Sequence, residues 1–482
     1  MAYKSLLTIS VLTICFNPLM ILAALTNSQR ISALEKQVEE LEASVDSLES
    51  LFVARYGLIR QCERPVVLNG KAKCPTKLKP GSSCTVVCDP GYIATPGKGS
   101  SSCITGGVWS AELNCEIPLL LISGGTVDTS NNGYSGVEAI SVYTSTGCDV
   151  TLPDMPLADG SHRSLHNLIY VYPNKLLACN GLTAQKEATC DFLTLSDKQS
   201  QWKHHSYPNE YRTISRHVNC DKKWERELYV DTCKKNDEQK KERKKGVYAA
   251  QYVEIGDKTV IAGGMIYDDK GHSPLKIVKK LSEGRQNYWP KEQSMKKSRA
   301  FFCAVNIKDR GFLAIGGLGN DGNGNTVEKS VEFKTVGASY FGDLKIHARS
   351  MADLNTPRSG HSCTVLNQDK QSVIVSGGTK GFGHGEAALK GAEILNATAN
   401  IWMEAAAMNT GRFGHALVMV GDKVIAVGGD TKVPSNILDT IEEYDISSNT
   451  WRILEKRLKK PRANFGYTLV PHSIFDGCVI HK

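Results

Sequence analysis

The feature that most constrains this chain is a phrase that recurs six times. Each copy is a short apolar run closed by a glycine doublet: Leu119–Gly125, Leu176–Gly181 (with Asn180 in place of the first glycine), Thr259–Gly264, Phe312–Gly317, Val373–Gly378 and Val424–Gly429. The second glycines are 56, 83, 53, 61 and 51 residues apart. The fullest copy shows what is encoded. Gly411-Arg412-Phe413-Gly414-His415 leads into Ala416–Val420, a Gly421-Asp422 turn and Lys423–Gly429; Glu442-Glu443-Tyr444-Asp445 and Asn449-Thr450-Trp451 follow. Two apolar runs joined by a tight turn read as a hairpin. The doublet lets the backbone leave the strand where a Cβ would clash. A Tyr on the third strand and a Trp on the fourth supply apolar plates that pack one sheet on the next.

A period near 50 residues with a glycine doublet and a Trp resembles the kelch family. The resemblance implies a mainly β fold: a six-bladed kelch β-propeller over 117–482, one blade per phrase. The WD40 alternative needs a shorter period and a Trp-Asp pair, and no Trp-Asp occurs. Each doublet strand is expected to follow an inner strand that opens Arg-x-x-His, as at Arg163/His166, Arg358/His361 and Arg412/His415, with looser versions at Arg299/Phe302 and Val247–Val253. The first doublet strand has no such predecessor. Arg462-Ala463-Asn464-Phe465 and Gly466–Val470 are the missing strand, so the C-terminal stretch is expected to complete the first blade.

Ahead of this array the chain changes character twice. Residues 1–25 carry Lys4 and then an apolar run from Leu6 to Leu25, which reads as a secretory signal peptide cut near Ala24. The rival reading is an uncleaved signal anchor, since Ser5–Leu25 is long enough to span a bilayer, and only then is a membrane involved. Residues 28–54 form a heptad pattern, with Ile31, Val38, Val45 and Phe52 at a and Leu34, Leu41 and Leu48 at d. β-Branched a positions with Leu at d favour a parallel two-stranded coiled coil, hence a homo-oligomer, with a single docked amphipathic helix as the alternative.

The chain has 15 cysteines, six of them between Cys62 and Cys115, a density that suits an oxidising, extracellular compartment. Over 61–116 the order Cys62-Glu63-Arg64-Pro65, Asn69-Gly70, Cys88-Asp89-Pro90-Gly91-Tyr92, Cys103, Trp109-Ser110 and Cys115 resembles a sushi (complement control) module. That resemblance implies the pairs Cys62–Cys103 and Cys88–Cys115. The extra Cys74 and Cys84 match a six-cysteine variant of the module, which implies Cys74–Cys84. So small a module needs such bonds because it cannot bury enough apolar surface alone. Further on, Cys179 and Cys190 sit where neighbouring strands of one blade would be bridged, and Cys220 and Cys233 would staple an inserted loop. Cys148, Cys303, Cys363 and Cys478 have no assigned partner. Asn396-Ala397-Thr398 is a glycosylation sequon placed in the turn before Trp402.

The net charge of +8 over 482 residues is too mild to suggest nucleic acid. The insertion 203–246 carries seven basic residues between Lys234 and Lys245 and reads as a solvated loop. No nucleophile elbow, phosphate-binding loop or zinc-protease motif occurs, so neither an active site nor a cofactor is expected. His166, His361 and His415 recur at one strand position, which marks them as serving the repeat. The Leu318–Asn325 glycine-rich loop offers only Asp321 as a carboxylate, too few for calcium. Binding is better supported. In a four-stranded blade the start of the inner strand opens on the face that carries the loops after the doublets. Arg163, Arg299, Arg358, Arg412 and Arg462 are therefore expected around one mouth of the channel, where the kelch resemblance implies a ligand site. Guanidinium groups there suit an acidic glycan or protein surface; the alternative is that they bridge adjacent blades. The resulting expectation is a secreted or cell-surface recognition protein. A copper-radical oxidase of the galactose oxidase type and an intracellular kelch adaptor are the other classes weighed.

Overall fold

In a computed structural model the described residues are 36, 38, 40, 61–95, 99–104, 107–128, 133–146, 148, 150, 152–155, 163–171, 173–182, 189–195, 201–206, 247–255, 258–268, 271–280, 291–307, 311–320, 324–336, 348–367, 372–381, 385–475 and 478–481. The expected leader, the Cys220–Cys233 pair and the basic run lie outside them. So does the expected coiled coil, apart from Lys36, Val38 and Glu40, which are helical. Among the described residues no helix is long and apolar enough to cross a membrane.

The chain divides into two compact units, one of residues 1–65, 74–84 and 101–112 and the other of 66–73, 85–100 and 113–482. In the first, Cys103-Ile104 pairs with Val108-Trp109, and disulfides join Cys62 to Cys103 and Cys74 to Cys84. The Trp109 indole donates to the Glu63 carbonyl at 2.9 Å.

In the second unit, Gly70–Lys73 pairs with Thr85–Cys88, Ile93–Thr95 pairs with Asn114–Glu116, and Cys88 is bonded to Cys115. The rest is built from six antiparallel sheets taken in chain order. Sheet 2 is Asn167–Val171, Lys175–Cys179, Thr189–Thr194 and Lys203–Ser206, and sheet 3 is Gln251–Ile255, Lys258–Ala262, Val278–Lys280 and Lys291-Glu292. Sheet 4 is Cys303–Asn306, Gly311–Ile315, Val331–Thr335 and Ala348–Met351, and sheet 5 is Ser362–Asn367, Ser372–Ser376, Ala392–Asn396 and Ile401–Ala405. Sheet 6 is Ala416–Val420, Lys423–Val427, Thr440–Asp445 and Thr450–Arg457. Every doublet ends a second strand. Lys203–Ser206 is the fourth strand of sheet 2, so the insertion starts after Ser206 and not at Lys203. The reason is that the strand continues past its Trp, as it does past Trp402 and Trp451.

Sheet 1 is made from both ends of the unit. Gly466–Pro471 pairs with Pro118–Ser123, which pairs with Val137–Ile140, while Val479–His481 pairs with Thr144–Thr146. A Cys148–Cys478 disulfide, 330 residues apart in sequence, locks the second of these pairings, which is a separate two-stranded ladder.

Successive sheets pack through apolar seams. Leu119 and Leu121 of sheet 1 meet Leu176 and Ala178 of sheet 2. Ile169 and Cys179 meet Val247 and Ile261 of sheet 3, and Val260 and Ala262 meet Phe312 and Ala314 of sheet 4. Leu313 and Ile315 meet Val373 and Val375 of sheet 5, and Ile374 meets Val424 and Ala426 of sheet 6. Ile425 and Val427 then return to Leu120 and Ile122 of sheet 1. The last seam sets sheet 6 against sheet 1, as each earlier seam sets one sheet against the next. At the rim, indole N–H groups tie the fourth-strand edge of sheets 6, 5 and 2 to the connection after the previous sheet: Trp451 to the Ala406 carbonyl, Trp402 to Ala352 and Trp202 to Pro153, at 2.8–2.9 Å.

Because Cys148–Cys478 closes so long a loop, its removal frees the unfolded chain substantially, a cost of about 2–5 kcal/mol. A Cys478→Ser variant is expected to lose that much unfolding free energy, read as a lower denaturant midpoint, and reductant should cost the variant less than the parent.

Candidate functional site

The site region grows from the segment that enters each inner strand. Its first residue is Arg163, Val247, Arg299, Arg358, Arg412 or Arg462, and the carbonyl of each accepts a hydrogen bond from the second glycine of the preceding sheet. The bonds run from Gly125, Gly181, Gly264, Gly317, Gly378 and Gly429, all at 2.8–2.9 Å. These glycines lie at positive φ, +85° to +99°, and a Cβ on Gly264 would stand 2.5 Å from a Val247 methyl. The doublet is thus a main-chain clasp between neighbouring sheets.

The arginine side chains turn inward. Each forms an ion pair with a carboxylate on the third strand of its own sheet: Arg163–Asp191 at 2.6 Å, Arg299–Glu332 at 3.2 Å, Arg358–Glu393 at 2.7 Å, Arg412–Glu442 at 2.9 Å and Arg462–Glu138 at 3.1 Å. None of the five arginines is more than 2% exposed. Arg412 also donates to the Gly428 and Thr440 carbonyls, and the Glu442 carboxylate takes the Asn409 and Thr410 backbone N–H groups. The same two-amide grip holds Glu332 through Lys296 and Lys297, and Glu393 through Asn355 and Thr356. Burial lowers the guanidinium pKa of Arg163, Arg358, Arg412 and Arg462, and the paired carboxylate opposes it.

This corrects the expectation that Arg163, Arg299, Arg358, Arg412 and Arg462 face a ligand at the channel mouth. The inner-strand start does open at the mouth, but each guanidinium turns away from it onto a buried carboxylate that offsets its loss of water. The bond between sheets belongs to the arginine's carbonyl, and the ion pair lies within one sheet. Sheet 3 departs from the pattern at both ends, with Val247 at the arginine position and Lys279 at the carboxylate position.

Two residues beyond each arginine position the backbone turns left-handed: Leu165, Ala249, Phe301, Gly360, Gly414 and Asn464 have φ of +51° to +64°. Their amides and carbonyls join head to tail. Leu165 N–H donates to Asn464 O, Ala249 to Leu165, Phe301 to Ala249, Gly360 to Phe301, Gly414 to Gly360 and Asn464 to Gly414, at 2.7–3.2 Å. Six sheets thus contribute one residue each to a closed girdle of main-chain hydrogen bonds at one mouth of the channel. Around it runs an arc of rings: His272, Tyr248, Phe301 and Phe413 lie in sequence with centroids 6.1–6.4 Å apart, and the Lys432 ammonium sits 4.2 Å from the Phe413 centroid. Lys432 belongs to a loop stiffened by the Asp430 carboxylate, which accepts from the Lys432 and Asn436 amides and the Ser435 hydroxyl. That loop leaves Val433 45% exposed beside the girdle.

Behind the girdle lies a cavity of 620 Å³ lined by the inner strands. Tyr252 of sheet 3 reaches past sheet 2 to the Thr468 hydroxyl of sheet 1, at 2.9 Å. Burial raises the phenol pKa of Tyr252 and Tyr467, which keeps both as hydrogen-bond donors.

His166, His361 and His415 occupy three different seams, each against the first glycine of a doublet, where Phe302 and Phe465 stand in two other sheets. The Ser123 and Ser376 hydroxyls meet His166 and His415 Nε2 at 2.8 and 3.2 Å. Burial pushes the His361 pKa down to about 3, with the Arg358 charge adding to it, and lowers His166 and His415 for the same two reasons. They do not converge as a metal site would. A copper-radical centre also needs a cysteine for its cross-link, and the described ring cysteines pair as Cys148–Cys478, Cys179–Cys190 and Cys303–Cys363. The last pair joins the inner strands of sheets 4 and 5, a contact invisible before the strands are aligned. Asn396 lies in a turn where its Oδ1 accepts from the Thr398 and Ala399 amides. Gly-rich Leu318–Asn320 pairs with Asn325–Val327 as a hairpin on the girdle side.

With this geometry in view, residues 411–456 match the Kelch motif, the span of sheet 6 and its entering segment. Human Kelch-like protein 34 is 31% identical over 187 residues, 39% of this chain and 26% of that protein. Mouse Kelch-like protein 36 is 26% identical over 192 residues, 40% of this chain and 28% of that protein. The tRNA wybutosine-synthesizing protein 2/3/4 of Arabidopsis thaliana is 38% identical over 96 residues, 19% of this chain and 9% of that protein. The chain spans about a quarter of the length of the Kelch-like relatives. The chain thus carries a Kelch motif, resembles Kelch-like proteins over part of its length, and is built mainly of β-strands.

Two measurements check the seam chemistry. Glu442→Ala should cost about 3–5 kcal/mol by stranding the Arg412 charge, whereas Arg412→Met with Glu442→Leu should recover most of that loss. His361 is neutral in the fold and takes a proton readily when unfolded, near its ordinary pKa of about 6.5. Its contribution is therefore complete above pH of about 6.5 and lost as pH falls toward the folded value. His361→Phe, the residue sheet 4 already uses at Phe302, should flatten the decline in stability between pH 7 and 5.

Proposed function

We propose that this kelch-repeat protein is a secreted recognition protein whose girdle-end face binds an extracellular protein, and that it acts by binding and not by catalysis. The observation that carries this reading is the Asp430–Ile437 loop beside the girdle, stiffened by the Asp430 carboxylate and presenting half-buried Lys432 and exposed Val433. A rigid loop that offers an apolar side chain beside a cation loses little freedom on binding, which favours its use as a contact. Six sheets joined last to first support a closed six-bladed β-propeller as the platform, since the girdle fixes the mouth by main-chain bonds alone. The cysteine pairs support an oxidising compartment, and with it use of the sequon at Asn396. A sushi module over 61–116 fits the paired cysteines there. The heptads of 28–54 would gather copies, so that a modest single-site affinity becomes avidity. The five buried arginines have no part in this site, which removes the original ground for an acidic glycan. Among the described residues of the Asp430–Ile437 loop, Lys432 supplies a basic contribution.

The test is binding of the chain from Ser28 onward to a panel of extracellular proteins and of acidic and neutral glycans at two salt concentrations. A Lys432→Glu/Val433→Asp variant, changed only at the exposed loop, is expected to lose protein binding at least tenfold. The Arg412→Met/Glu442→Leu pair should leave it unchanged. Binding confined to acidic glycans and abolished by salt would overturn the reading.

A further inference from the structure

At the far end of the inner strands, opposite the girdle, the channel meets the segment Cys88–Ile93, which lines the same cavity. Asp89-Pro90-Gly91-Tyr92 is a closed β-turn. The Tyr92 amide donates to the Asp89 carbonyl at 3.1 Å, and Gly91 takes the positive φ, +88°, that such a turn needs after its proline. The turn is held from both sides. Cys88 is bonded to Cys115, Ile93–Thr95 pairs with Asn114–Glu116, and the Glu116 carboxylate accepts from the Ser473 amide and hydroxyl at 3.0 Å.

Its tip meets sheet 6. Gly421 lies in the two-residue loop of the Ala416–Val420/Lys423–Val427 hairpin, where its N–H has no partner in the ladder, and it donates to the Gly91 carbonyl at 2.8 Å. The approach is as close as main chain allows, because a Cβ on Gly91 would stand 2.0 Å from the Gly421 carbonyl oxygen. Tyr143 braces the same loop, its hydroxyl donating to the Val420 carbonyl at 3.1 Å. Asp89, Pro90 and Tyr92 share a second cavity, of 440 Å³, with Asp422, Lys423 and Asp445.

We propose that the Asp89–Tyr92 turn is a ligand this chain carries for its own channel: it seats on the mouth opposite the girdle and is recognised through its main-chain carbonyl at Gly91. Recognition by backbone explains why both contacting positions are glycine, and why the turn follows a cysteine-anchored strand that fixes its depth. A partner then reaches the channel from the girdle end alone. The proposal stands independently of what binds there.

The test uses hydrogen exchange on the full chain. The Gly421 amide is expected to be protected, and Gly91→Val should speed its exchange at least tenfold. The girdle amides of Leu165, Gly360 and Gly414 should keep their protection, and peptide mapping should still find Cys88 bonded to Cys115. A Pro90→Cys/Asp422→Cys variant should cross-link on mild oxidation without changing girdle exchange. Equal Gly421 exchange in parent and Gly91→Val, loss of girdle protection along with it, or failure of the cysteine pair to cross-link would each overturn the proposal.

Discussion

The ring depends on a buried charge placed where it can be answered only once its own sheet has folded. A guanidinium taken out of water is tolerable only beside a carboxylate with its remaining hydrogen bonds filled. Arg412 finds Glu442 about thirty residues later in the chain, and Glu442 in turn fixes the Asn409 and Thr410 amides that lead into the arginine. The pair therefore sets the angle at which the chain leaves one sheet and enters the next. That angle brings the arginine's carbonyl onto the neighbouring glycine and puts the next residue but one into the girdle. In five of the six sheets one interior ion pair thus stands behind both the clasp and the left-handed turn.

Sheet 3 shows how far this arrangement can be relaxed. Val247 and Lys279 stand where the other sheets hold Arg and carboxylate, and Asn180 replaces the first glycine of the clasp it joins. The main-chain bond survives, from Gly181 to the Val247 carbonyl at 2.8 Å, as does the girdle bond from Ala249. Val247 is fully buried among Ile169, Cys179 and Ile261, so apolar packing takes the place of charge at this seam. The Cys179–Cys190 bond lies in the same seam. The long basic insertion enters just there, at the one junction whose geometry is not set by an arginine.

Much of the fold could be read from residue order because its signals are local. A glycine doublet after an apolar run marks the end of a second strand wherever it occurs, and the Tyr-Asp and Trp positions follow at short range. The arginines were equally visible, yet their role was not. An Arg near a mouth looks like a ligand residue until the topology delivers Asp191, Glu332, Glu393, Glu442 or Glu138 to it. Glu442 stood in plain view in the fullest repeat, and an acidic residue recurring on each third strand was the signal that could have found the pairs. The girdle leaves almost no trace, since Leu, Ala, Phe, Gly and Asn all serve when only the backbone bonds. The packing of rings behind the girdle was hidden for the same reason, since its members are scattered from Tyr248 to Phe413 and meet only in the fold. The Cys303–Cys363 bond required knowing which inner strands are neighbours.

Sheet 1 has a consequence for how such a chain comes into being. Pro118–Ser123 is buried along its whole length, with one neighbour supplied early and the other by Gly466–Pro471. During synthesis the early strand waits for a partner some 340 residues downstream while the other five sheets take shape beside it. An apolar strand with an open edge invites pairing with another chain. Any premature stop before Gly466 would make that exposure permanent, leaving an open arc with a sticky end in place of a ring. The late strand that covers this edge in the finished fold is therefore also what leaves unfinished forms prone to stick to other chains.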